Sequence, residues 1–295
     1  MDAELSDEKI DEDARRRWRK ARRRRHRLGF LGLGLVAFIL LFSLVGPFFI
    51  PYDPNLQDIV IGPQPPWTTI DGRFHLLGTD PLGRDILARL AAGGRASLAV
   101  VAVSLLIGGG IGLTLGVIAG YKGGSVDNVI MRLTDAQLAL PATIFAMIVA
   151  AVLGVGFVNT AIALGFATWP IYARILRAEV LRVRHREHIL VASTLGISTF
   201  RIIRVHILPN VISAVAIVGT LELGRMILIE STLSFVGLGM QPPDASWGSM
   251  IRQGQDYVFN AWWIATIPGF AIVIAVLGLN LLGDWIRDVL DPRTR

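Results

Sequence analysis

Leu28–Ile50 reads LGFLGLGLVAFILLFSLVGPFFI, 23 residues without one charged side chain. As a helix rising ~1.5 Å per residue it spans ~35 Å, more than the ~30 Å hydrocarbon core of a bilayer. A secretory signal has a shorter apolar core and a small-residue cleavage site, so this stretch is expected to stay as a first membrane helix. Ahead of it stand ten Arg and Lys between Arg15 and Arg27, and ahead of those an acidic opening of Asp2, Glu4, Asp7, Glu8, Asp11, Glu12 and Asp13. Arginines beside a span hold that end in the cytoplasm and meet anionic membrane lipid headgroups. They require no nucleic acid.

The rest of the chain is of the same kind. Of its 295 residues 53% are hydrophobic and 18% charged, against about 25% charged in a soluble domain; the mean hydropathy is +0.55. Further apolar stretches cover residues 96–121, 135–157, 158–175, 211–230 and 261–285, with Pro141 near the start of the third span, Pro170 interrupting the fourth and Pro268 inside the sixth. The second span is rich in glycine (Gly108, Gly109, Gly110, Gly112, Gly116, Gly120), and small residues let membrane helices approach closely, so it is expected inside the bundle. Six spans return both termini to one side. Between Arg174 and Arg204 lie Arg177, Arg182, Arg184, Arg186 and Arg201 against only Glu179 and Glu187, whereas segments 51–94 and 234–260 hold Asp53, Asp58, Asp71, Asp80, Asp85, Asp244 and Asp256 with fewer arginines. The arginine-rich loop and both termini are therefore expected in the cytoplasm.

Several chemistries are excluded or unsupported. There is no cysteine, hence no disulfide, thiolate metal site or cysteine nucleophile. None of Lys9, Lys20 and Lys122 stands in a GxxxxGK[ST] phosphate loop, so ATP is not hydrolysed by that route. His185 and His188 have i, i+3 spacing but no third ligand and read as a solvated face, with no metal held. The segment from Pro51 to Thr79 reads as an irregular loop. It ends in Thr79-Asp80-Pro81, where Asp80 suits an N-cap and Pro81 a first helical residue, so a helix is expected to start there. Trp247, Trp262 and Trp263 are expected as interfacial anchors.

The stretch Glu187-His188-Ile189-Leu190-Val191-Ala192-Ser193-Thr194-Leu195-Gly196-Ile197-Ser198-Thr199-Phe200 is apolar yet bracketed by arginines, and runs on to Leu208-Pro209. It suggests two short helices broken near Gly196, which can take the positive φ of a helix end. Ser198 or Thr199 would cap the second, and Pro209 marks re-entry into the membrane. An exposed apolar knob at such a break is a docking surface for another protein.

Three segments resemble one family. Ala192-Ser193-Thr194-Leu195-Gly196, with Leu208-Pro209 ending thirteen residues beyond the glycine, is similar to the EAA loop of binding-protein-dependent ABC importer permeases; the family's leading Glu-Ala is Leu190-Val191 here, and Ala192 alone matches. Leu77-Gly78-Thr79-Asp80-Pro81-Leu82-Gly83-Arg84-Asp85 resembles the GTDxLGRD signature of the C-type subunit of dipeptide/oligopeptide/nickel permeases. The run from Leu228 through Glu230 to Pro243, followed by Ser246-Trp247-Gly248, resembles another signature of that group. The resemblance implies an all-α polytopic protein with six transmembrane helices in the type I ABC importer permease fold. Its parts would be a cytoplasmic tail at 1–27, a first span at 28–50, an extracytoplasmic loop at 51–94, a core permease domain at 95–288 containing a coupling loop at 181–209, and a tail at 289–295. It implies a homologous second permease, two ABC ATPase subunits or domains that bind ATP and Mg, an extracytoplasmic substrate-binding protein, and no cofactor on this chain.

On that resemblance the ATPase-coupling residues are Glu187, Leu190, Val191, Ala192, Ser193, Thr194, Leu195, Gly196 and Phe200. Glu222 and Arg225, i, i+3 in the fifth span, either line the path of a zwitterionic peptide or compensate each other or a partner. Arg84 and Asp85 either dock the binding protein or tie the loop to the bundle. Glu230 is expected to be structural, held by backbone amides. A nickel or glutathione importer is the nearest alternative. A proton-coupled secondary transporter would want more intramembrane carboxylates than Glu222 and Glu230, and a membrane-embedded enzyme would want a catalytic constellation that the spans do not contain.

Overall fold

The computed structural model describes residues 2–290. The side chains of residues 2–25 and of His188, Leu190, Ser193, Ser213 and Leu290 fall outside that description, as do residues 291–295 of the expected C-terminal tail. The elements are α1 (Asp2–Phe49), β1 (Thr68–Ile70), β2 (Arg73–His75), α2 (Ile86–Lys122), α3 (Gly124–Leu138), α4 (Ala142–Leu153), α5 (Phe157–Arg184), α6 (Glu187–Thr194), α7 (Thr199–Ile202), α8 (Leu208–Val236), α9 (Trp247–Gly254) and α10 (Trp263–Leu290).

Three helices are long and apolar enough to cross a membrane alone: α1 over His26–Phe49, α2, and α10 over Trp263–Val289. Two further candidates are bent. α3 and α4 meet at 93°, and the run from Thr199 to Val236 bends by 44° between Ile212 and Ala214. α5 completes the bundle and is not among the helices apolar enough to cross a membrane alone. Thr160, Thr168, Pro170 and Tyr172 are all buried against its neighbours, and a helix shielded from lipid can carry polar groups on its inward faces.

The α2–α5 contact is built on a glycine stripe one turn apart. A Cβ on Gly108 would lie 2.5 Å from Thr168 Oγ1, on Gly112 2.4 Å from Tyr172 Cβ, on Gly116 2.7 Å from the Ala173 carbonyl oxygen, and on Gly120 2.8 Å from Val180 Cβ. Backbone-to-backbone approach is the source of association between membrane helices, where no hydrophobic gain separates lipid from protein. Gly109 and Gly110 meet nothing within 4 Å, so only four of the six glycines form the seam.

Two expectations about prolines are corrected. The third span is not one helix over 135–157. The residue before a proline avoids helical geometry and the ring has no N–H, so the chain breaks ahead of Pro141, and the twelve residues of α4 reach only ~18 Å. Conversely, α5 runs unbroken through Pro170. Pro170 leaves the carbonyl of Phe166 without its helical donor, and Gln137 Nε2 from α3 supplies one at 2.6 Å.

The two ends of the bundle differ. At one, Trp285 Nε1 donates to His26 Nδ1 at 3.2 Å, Arg184 lies 5.6 Å over the Tyr121 ring, and α6 and α7 form an elbow. At the other lie the β1–β2 hairpin and α9. The expected irregular loop there contains an antiparallel pair in the register Thr68–His75, Thr69–Phe74, Ile70–Arg73. Asp71 and Gly72, at φ 48° and 75°, make the two-residue turn that suits a hairpin's twist. Of the three tryptophans expected as anchors only Trp262 is exposed; Trp247 and Trp263 are buried. Their indole N–H groups donate to the carbonyls of Leu90 (3.0 Å) and Thr79 (3.3 Å), a polar need that burial imposes on any tryptophan.

Candidate functional site

The elbow is built by one helix end and one proline. α6 stops where Gly196 takes φ 76° and the Ile197 amide donates back to the Ala192 carbonyl at 3.2 Å, the six-to-one bond of a glycine-terminated helix. Ser198 holds the N-cap position of α7 without a side-chain cap bond. A π-helical turn, Ile203–Ile207, then leads into α8. It lies directly ahead of Pro209, which has no N–H for the carbonyl of Val205.

The elbow has two faces. Ile189, Ala192, Ile202, Ile207 and Val211 are buried toward the bundle. Val191, Leu195 and Phe200 point away, with Leu195 75% and Phe200 73% exposed, whereas Ala192 is 7% exposed. Glu187, Thr194, Arg201 and Arg204 are exposed around them. Ala192, which matches the family motif, therefore seats the elbow and does not form its knob. The side chains of Leu190 and Ser193 lie outside the described residues. Arg186 Nη1 reaches Asn210 Oδ1 at 3.4 Å, joining the start of α6 to the start of α8.

Midway along α8, Arg225 Nη1 lies 3.5 Å from Glu222 Oε2. The pair is unequal: the Arg225 side chain is 42% exposed and that of Glu222 14%. Arg225 borders a cleft of about 280 Å³ walled by Gln137, Leu140, Pro141, Phe145 and Ala167. The cleft is thus a product of the α3–α4 break.

At the hairpin end a buried cluster replaces the expected helix start. Asp80 does not cap a helix. Its Oδ1 accepts the amides of Leu82 (2.9 Å) and Arg84 (3.0 Å), a local turn that competes with helix formation. Gly83 passes so close to the main chain at Asp58 that a Cβ would lie 1.9 Å from its carbonyl oxygen. α2 starts at Ile86, capped by Asp85, whose Oδ1 accepts the Ala88 amide at 2.8 Å.

The same carboxylates carry the cluster. Asp80 Oδ2 accepts from Arg84 Nε at 2.7 Å and lies 3.5 Å from Arg89 Nε. Arg84 Nη2 donates to Gln253 Oε1 at 2.9 Å, reaching α9. Asp85 Oδ2 lies 2.8 Å from His75 Nδ1, and the His75 ring stacks with Tyr52 at 4.9 Å. Asp80, Arg84, Asp85, Arg89 and His75 are all buried. This favours tying the loop to the bundle over docking a partner for Arg84 and Asp85. Glu230, also buried, is held by Ser234 Oγ at 2.8 Å and Ser231 Oγ at 3.5 Å, so serine hydroxyls stand where backbone amides were expected.

Sequence reasoning missed His75, Arg89, Gln137 and Gln253, which join segments distant in the chain. Only Gln137 had a legible cue, since Pro170 orphans a carbonyl that some polar side chain must satisfy.

The comparisons with known proteins agree with this architecture. Residues 112–295 match the family described as binding-protein-dependent transport system inner membrane component, and residues 14–66 match the N-terminal TM domain of oligopeptide transport permease C. The chain is 39% identical over 273 residues to the di/tripeptide transport system permease protein DppC of Pseudomonas aeruginosa (strain UCBPP-PA14), covering 92% of this chain and 90% of that protein. It is 37% identical over 259 residues to the probable D,D-dipeptide transport system permease protein DdpC of Escherichia coli (strain K12), covering 88% and 85%. It is also 37% identical over 279 residues to the dipeptide transport system permease protein DppC of Bacillus subtilis (strain 168), covering 94% and 85%. In fold it is similar to a chain of an inward-facing structure of the MetNI methionine ABC transporter, with a TM-score of 0.56, 20% identity and coverage of 68% of this chain and 96% of that one. The chain belongs to the inner membrane components of binding-protein-dependent transport systems, as a multi-pass, non-catalytic permease subunit of the type I ABC importer fold.

Proposed function

We propose that this permease imports di- or oligopeptides, forms half of the translocation pathway beside a homologous second permease, and has its elbow and both termini in the cytoplasm. The observation that carries the coupling role is the elbow itself, where Val191, Leu195 and Phe200 are exposed beside Arg201 and Arg204. Large apolar side chains grouped in the open mark a protein-binding surface. The occupant we assign is an ABC ATPase, which would bind and hydrolyse ATP with Mg; we assign no cofactor to this chain. An extracytoplasmic binding protein delivers the substrate. The names of the relatives above support peptide as that substrate.

The structure suggests how force would travel. The elbow is continuous with α8 through the π-helical turn and is tied to it by Arg186 and Asn210. α8 carries Glu222 and Arg225 in its middle. Displacement of the elbow as the ATPases close would therefore move the groups that we assign to the translocation path, giving two states with alternating access.

The chain has no native cysteine, so single cysteines test this directly in the complete transporter. Leu195→Cys and Phe200→Cys should crosslink to cysteines on the ATPase surface in a nucleotide-dependent manner, and buried Ala192→Cys should not. Absence of a crosslink from both exposed positions would sink the coupling role.

A further inference from the structure

We propose that the cleft at the α3–α4 break is the subsite for the terminal carboxylate of the transported substrate, with Arg225 as its anion-binding group. This deepens the peptide-permease reading and rests on it.

Three observations converge. First, the break lies level with the middle portions of two neighbouring helices. Gln137, at the end of α3, bonds Phe166, the tenth residue of the 28-residue α5, and Arg225 is the eighteenth of the 29 residues of α8. Irregular backbone at membrane depth persists only where protein buries it or a polar cavity wets it, and broken helices are a recurrent way to place substrate groups near the bilayer middle. Second, the charge is one-sided. Arg225 borders the cleft and Glu222 does not; Glu222 backs the guanidinium from 3.5 Å away. A weakly engaged guanidinium facing a cavity suits a carboxylate, which its planar fork can grip through two parallel hydrogen bonds. Third, the wall is fixed. Gln137 is locked to the carbonyl that Pro170 leaves open, so the cleft keeps its shape without a ligand. At about 280 Å³ it falls at the lower edge of ligand-sized cavities and accommodates the end of a peptide, not its length.

The test uses the complete transporter in liposomes with its loaded binding protein, and dialanine and dialanine amide as probes at matched binding-protein occupancy. Arg225→Gln should lower dialanine uptake by about ten-fold or more, the worth of one charge-assisted hydrogen bond. Binding-protein-stimulated ATP hydrolysis and uptake of the amide should stay near wild type, and Arg225→Lys should restore much of the dialanine uptake. If Arg225→Gln slows acid and amide alike, or loses ATP hydrolysis or the second permease together with uptake, the residue is structural and the subsite is refuted. If wild type carries dialanine and Arg225→Gln carries it equally well, the subsite is refuted while the peptide reading stands. If wild type carries neither probe although ATP hydrolysis responds to the loaded binding protein, it is the peptide reading that falls, and the subsite with it.

Discussion

At the hairpin end Arg84 and Arg89 are buried among Asp80, Gln253 and the carbonyl of Pro54, whereas at the elbow end Arg201 and Arg204 stand exposed beside Leu195 and Phe200. Both regions carry short motifs that resemble family signatures, and both are rich in charge. In the first, charges turn inward and hold a loop, two helices and a hairpin in one arrangement. In the second, Val191, Leu195 and Phe200 turn outward into the open. A signature motif is thus ambiguous between scaffold and contact surface until burial is known.

The difference is strongest if the hairpin cluster is broken. Asp80→Asn would leave two buried guanidinium groups without their carboxylate, a change that costs about 3 kcal/mol or more. The variant should show a markedly lower midpoint in thermal unfolding of the detergent-solubilised transporter; an unchanged midpoint would show that the cluster is not structural. A smaller loss is expected at the helix seam between the two ends. Gly112→Ala places a Cβ 2.4 Å from Tyr172 Cβ, overpacking worth about 1–3 kcal/mol. Gly109→Ala, which meets nothing within 4 Å, should be neutral or stabilising by up to ~1 kcal/mol. Comparing the two midpoints separates close approach from glycine content. The smallest effect on stability belongs to the elbow: Phe200→Ser should change it by no more than about 0.5 kcal/mol. It should nevertheless weaken ATPase association by about ten-fold or more if Phe200 is an anchor of the docking surface, measured by co-purification across detergent-solubilised variants. Loss of stability without loss of association would reverse the assignment.

Much of the elbow was legible because its determinants are local. A positive-φ glycine, a proline at helix entry and apolar residues between arginines act over a few neighbours. The sidedness was not legible: Ala192 and Leu195 are both apolar and three residues apart, yet one faces the bundle and the other does not. At the hairpin end the local reading failed for an instructive reason. Asp80-Pro81 is a good helix start by its own chemistry, but Asp80 instead closes a turn and binds Arg84, and capping falls to Asp85. The tryptophans failed likewise, since an indole suits both a membrane interface and a buried contact that satisfies its N–H.

The sequence by itself determined that this is a helical membrane protein, since runs such as Leu28–Ile50 have no other stable solution in water or lipid. It also placed the glycine-rich second span inside the bundle, since small residues permit close approach, while the structure chose which four glycines form the seam. Tertiary structure decided which charges are scaffold and which face a cavity. Arg84 and Arg225 are both arginines near a carboxylate in the chain, yet Arg84 is enclosed by α9 and the loop beneath it while Arg225 opens on the α3–α4 break. Arg84 is held by a residue 169 positions away, and the cavity at Arg225 is walled by residues 58 to 88 positions earlier in the chain, so no local pattern encodes either.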